Sequence, residues 1–131
     1  MEATPLRLLP GDDLRGALDA ALAARGCGAA FVVSGIGSLN AARLRYAGID
    51  TAQALTGDLE ILTLAGTLSP AGSHLHMSVA DADGRVRGGH VAPGCIVRTT
   101  AELLIAWLPA WQFGREVDPA TGFAELTVRK A

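Results

Sequence analysis

HLHMSVADADGRVRGGH, residues 74 to 90, alternates apolar and polar side chains on either side of a glycine-bearing turn, which predicts a β-hairpin, and it holds all three histidines of the chain. In an extended strand, side chains two apart share a face. His74 and His76 should therefore project together, with roughly 7 Å between their Cα atoms, while Leu75, Met77 and Val79 face the other way. Whether His90 joins them depends on the turn. A two-residue loop, Asp83-Gly84, sets Met77 opposite His90 and sends the third imidazole to the apolar face. A three-residue loop, Ala82-Asp83-Gly84, with Gly84 in the left-handed position, sets His76 opposite His90 instead. An irregularity at Gly88-Gly89 would shift the parity in the same way. The sequence leaves these turns open.

Three imidazoles on one face point to a divalent cation, zinc first. Zinc takes ring nitrogens at about 2.0–2.1 Å, and a three-histidine set with one position left open is typical of a catalytic rather than a structural site. The expected ligands are His74, His76 and His90. A histidine cluster that binds polar groups or moves protons without metal, and a hairpin with no chemical role, are the other readings.

The chain has 131 residues and reads as one domain spanning residues 1–131, with no repeat and no linker. Half of the residues are hydrophobic and only 18% are charged, which excludes a disordered tail and leaves apolar surface for contacts between copies of the chain. The formal charge of -2 argues against a nonspecific grip on DNA, which needs a basic stripe. The start, MEATPLRLLPGDD, lacks the basic and apolar stretches of a secretory signal, and the strongest apolar run, LLIAWLPAW, is broken by Pro109. A cytoplasmic protein outside the membrane is expected. Cys27 and Cys95 are far apart and form no CxxC pair, so they read as free thiols.

Elsewhere, Leu6 to Leu9 predicts a short strand and Asp12 to Arg25 an amphipathic helix, with Asp12 or Asp13 as cap and Gly26 as stop. Ala29 to Ser34 predicts a buried strand, Gly35-Ile36-Gly37 a tight connection, and Asn40 to Tyr46 a second strand exposing Arg43 and Arg45. Leu59–Leu68, Cys95–Leu108 and Phe123–Val128 complete the strand set. The class is α+β: a central, mostly antiparallel sheet of six to eight strands with one main helix packed on it.

Four segments resemble the plants and prokaryotes conserved (PPC) domain: SGIGSLNAARLR (34–45), GDLEILTLAGTLS (57–69), HLHMSVADADGRVRGGHVAPGCIVRTTAEL (74–103) and FGREVDPATGFAEL (113–126). The resemblance implies a homotrimer and clustered HxH and GGH histidines that hold a metal ion in prokaryotic members. It also implies partner contact through the segment containing Gly57 and Glu60, although Asp58 and Leu59 depart from the family's pattern there. The family is labelled DNA-binding, but the Arg-Gly-Arg-Pro core of an AT-hook is missing; Gly84-Arg85-Val86-Arg87-Gly88 comes nearest and lacks the proline.

Two functions follow. One is a homotrimeric binding or regulatory module, associated with DNA through other proteins or through a locally basic face made by Arg43, Arg45, Arg85 and Arg87, with Arg43 and Arg45 also as interface candidates. The other is a metal-dependent enzyme acting on a small molecule through a bound water, with Glu102 or Asp81 as general base.

Overall fold

The hairpin forms with the three-residue loop. In the computed structural model, which describes residues 1–131, β4 (His74–Ala80) and β5 (Val86–Val91) pair antiparallel with His76 opposite His90. Asp81 N–H donates to the Arg85 carbonyl at 3.0 Å and Gly84 N–H to the Asp81 carbonyl at 2.9 Å. Gly84 has φ +77, a left-handed conformation that a side chain would strain. The Asp81 carboxylate finishes the loop by accepting from the N–H groups of Asp83 and Arg85 at 2.9 and 3.0 Å.

Around the hairpin run β1 (Glu2–Leu8), β2 (Ala30–Arg45), β3 (Gln53–Leu68) and β6 (Ile96–Trp107), in the sheet order β1-β6-β2-β3-β4-β5 with every pairing antiparallel. Gly35 to Gly37 is not a connection, as the sequence predicts, but the middle of the 16-residue strand β2. Its glycines answer to crowding: a Cβ on Gly35 would stand 2.6 Å from Leu103 Cδ2, and one on Gly37 2.5 Å from the Thr100 carbonyl oxygen. The sequence signal of a turn and of a close strand approach is the same residue. The far end of β2 then bonds β5, pairing Leu44 with Val91 and Arg45 with His90, so β2, β3, β4 and β5 close into a ring. Leu39, Leu44, Leu64, Leu75, Val79 and Val91 fill it, each under 3% exposed.

Helix α1 (Leu14–Arg25) buries Leu14, Leu18 and Leu22, one stripe at four-residue spacing worth roughly 1.5–3 kcal/mol per side chain. Gly26 stops it in the left-handed conformation at φ +65. Asp13 caps it and ties it to the sheet: one carboxylate oxygen accepts from Gly16 N–H at 2.9 Å, the other from Gly94 N–H at 2.7 Å. Asp13→Ala breaks both bonds and is expected to cost about 2 kcal/mol, read as a lowered urea midpoint. A shift under a third of that would show that the cap does not fix the helix.

The sequence leaves β7 (Trp111–Val117) unassigned; it pairs with β8 (Ala124–Lys130) in a separate ribbon. Phe113 N–H donates to the Gly28 carbonyl at 3.0 Å, and Phe113 meets Phe31 edge to face with ring centroids 5.6 Å apart. This docking brings the ribbon beside His74. No helix is long and apolar enough to cross a membrane.

Candidate metal centre

His74 and His76 follow each other along the outer face of β4, and the loop geometry brings His90 onto the same face. Ring centroids lie 4.9 Å apart for His74 and His76, 5.2 Å for His74 and His90, and 5.9 Å for His76 and His90. One ring nitrogen from each lies within 4.8 Å of the other two. Nitrogens bound tetrahedrally at about 2.0–2.1 Å stand roughly 3.3 Å apart, so small ring rotations would close the trio on one cation. His76 is exposed and the other two are half-buried.

The electrostatics suit a neutral, ligating state. Burial, then the positive charge of Arg45, pushes His90 down to about 4; neighbouring His74, Arg15 and His76 act in the same direction. Burial also lowers His74, followed by Arg115, with Glu125 opposing. Arg15 Nη1 lies 3.4 Å from His90 Nε2 and donates to the Val91 carbonyl at 3.1 Å, while His90 Nδ1 is buried with no partner. A buried ring nitrogen without a hydrogen-bond partner, on a residue clustered with two other imidazoles, fits a bound cation, and this donor set favours zinc-like ions.

The His90 shift carries a pH dependence. Its folded value of about 4 lies below the ordinary 6.5, so protons favour the unfolded chain between these values. The stabilisation is complete above pH 6.5 and declines as pH falls toward 4. In chelator-treated protein, ring NMR signals of His90 are expected to titrate well below pH 6, and acid should lower the denaturation midpoint less in His90→Gln than in the natural chain. A His90 titration near 6.5 would contradict this.

The other residues singled out in the sequence scatter. Arg45 joins the cluster as the cross-strand partner of His90. Asp81 closes the hairpin turn, roughly 16 Å along the strand from His76 at about 3.3 Å per residue. Glu102 sits on β6, opposite Arg7 and Ile36 and three strands from β4. Gly57 has φ +98 and forms the bulge between the Leu39–Leu59 and Ala41–Thr56 pairs, and Glu60 is an exposed strand residue. Arg43 is exposed on β2, Arg85 pairs with Asp83 at 3.6 Å, and Arg87 stands opposite buried Val79, so the four arginines share no single face. Sequence reasoning misses Arg15, Arg115 and Glu125. They reach the histidines from the helix and the ribbon, across separations that carry no local pattern.

A closed antiparallel ring with a helix at its side and an imidazole cluster on its outer face defines a class of small α+β proteins. Within that class the chain belongs to the Plants and Prokaryotes Conserved (PCC) domain family, whose pattern matches residues 1–109. It is 48% identical over 126 residues, 96% of the chain, to the bifunctional protein GlmU of Synechococcus sp. (strain JA-3-3Ab), and spans only 20% of that relative's length. A solved structure of a hypothetical protein from Salmonella cholerae-suis (Salmonella enterica) superposes with a TM-score of 0.95 at 42% identity, covering 98% of this chain and 94% of that one. A metal-containing protein from Archaeoglobus fulgidus superposes with a TM-score of 0.81 at 26% identity, covering 97% and 94%.

Proposed function

We propose that the protein is a homotrimeric PCC binding and regulatory module that holds one divalent metal ion, zinc first, per chain. The observation that carries this reading is the convergence of His74, His76 and His90 with the orphaned Nδ1 of His90. The similarity to a metal-containing protein supports it. His74, His76 and His90 would hold the ion, and Arg15 with the Val91 carbonyl fixes the end of β5 that carries His90. When bound, such an ion supplies Lewis acidity at a fixed point.

Self-association is supported by the outer face of β6, β2 and β3. Ile36 and Leu62 are 52 and 46% exposed there, and Leu104 adds a third large apolar side chain. A contiguous apolar face of this kind favours a protein contact over solvent. The net charge of -2 weighs against a direct hold on DNA. A second reading, catalysis on a small molecule, is favoured by the cleft running past His76; Glu125, the carboxylate that acts on His74, is then a better general-base candidate than Glu102 or Asp81.

Elemental analysis and sedimentation of the purified chain test the proposal. One metal per chain and a trimeric mass are expected, with Ile36→Glu sedimenting as a monomer. A metal-free monomer that takes up no added zinc would overturn it.

A further inference from the structure

Imidazoles that bind metal ordinarily hand their second nitrogen to a carboxylate or a carbonyl, groups that offset the charge of the ion. Around this trio the sign is reversed. Arg15 Nη1 stands 3.4 Å from His90 Nε2. Arg45 is registered opposite His90 and shares its outward face. Arg115 reaches in from the β7–β8 ribbon and donates to Thr67 Oγ1 at 3.4 Å, and Thr67 is the cross-strand partner of His74.

None of these three guanidinium groups has a carboxylate within ion-pairing distance, whereas Arg25, Arg85, Arg98 and Arg129 each have one. The chain as a whole is acidic, yet Arg45 and Arg15 act on His90 and Arg115 and Arg15 act on His74, with Glu125 the one carboxylate that opposes them at His74. A divalent cation added to that set makes the imbalance worse. A bound anion would offset it. Beside the rings opens a cleft of about 560 Å³ walled by Phe31, Val33, Ala65 and Thr67, with His74 and His76 at its edge.

We infer that this site takes a phosphate group, in the form of a small phosphomonoester whose body lies along the Phe31–Val33 wall and whose oxygens are gripped by Arg15, Arg45 and Arg115. Three separate guanidinium forks suit a tetrahedral, doubly charged group with three free oxygens better than a planar carboxylate with two. The location rests on the histidine site described above. The arginine grip itself does not require the ion.

Calorimetric titration of the full chain with inorganic phosphate, zinc-loaded and chelator-treated, tests this, with acetate in parallel. Phosphate is expected to bind at least tenfold more tightly than acetate. Arg115→Gln and, independently, the exposed-site variant Arg45→Gln are expected to weaken phosphate at least tenfold while metal per chain stays unchanged. Phosphate binding that is undetectable, equalled by acetate, or unaffected in both variants overturns the inference. Metal content measured on the same samples separates the two claims. A chain that holds zinc but shows no arginine-dependent phosphate binding sinks only the anion, and a zinc-free chain that binds phosphate through these arginines sinks only the metal.

Discussion

Gly66→Ala is expected to destabilise the protein by at least ~3 kcal/mol and to abolish the histidine arrangement together with the fold around it. Gly66 has φ +154, and a Cβ there would stand 2.0 Å from the His74 carbonyl oxygen and 2.8 Å from Leu75 Cα. Both obstacles are backbone, so relief requires β3 and β4 to separate at the residue that carries the first imidazole. Gly28→Ala is the control. Its Cβ would meet Gln112 Oε1 at 1.9 Å, a nominally worse clash, but with the end of a flexible, exposed side chain. That variant is expected to change stability by less than about 1 kcal/mol. Urea denaturation of both variants decides the matter; equal losses would mean that the close approach at Gly66 is not rigid.

His76→Ala should lower zinc affinity by more than 100-fold, past the roughly 10–100-fold expected when only a supporting partner of a ligand is lost. The change leaves two imidazoles, too few to hold the ion against solvent and chelators. Because His76 is exposed and makes no hydrogen bond that holds a strand, the metal-free variant should unfold within about 0.5 kcal/mol of the natural chain. Competition against a chromogenic chelator gives the affinity, and denaturation in excess chelator gives the stability. An affinity within tenfold of the natural chain would place the metal elsewhere. The contrast with His90 is instructive: that ring is half-buried and touches Arg15, so its replacement should disturb both readings at once.

What was legible in the sequence follows the range of the forces involved. The helix from Asp13 to Gly26 and the alternation of β4 and β5 are set by neighbours within four residues, and they were readable to within a residue or two. The family match over residues 1–109 shows the resemblance of the segments covering residues 34–45, 57–69 and 74–103, and the segment 113–126 lies beyond it. The turn at Ala82-Asp83-Gly84 was open because both loop lengths satisfy the same glycine, and what distinguishes them is the pair of N–H groups that the Asp81 carboxylate accepts. Gly35 and Gly37 misled for a related reason: they are small because Leu103 and Thr100 press on them from β6, more than sixty residues away. The arginines around the site were invisible on the same ground. Arg15 lies 75 positions from His90 and Arg115 lies 48 from Thr67.

The bond between the last residues of β2 and the end of β5 leaves the imidazole-bearing hairpin without a free margin at that point. Fraying, the ordinary way a terminal hairpin loosens, cannot part His90 from His76 there unless the circle of strands is breached. Amide exchange at Met77 and Gly89 is therefore expected to be slower than at the turn end of the same hairpin, because opening them requires the β2–β5 pairing to part first.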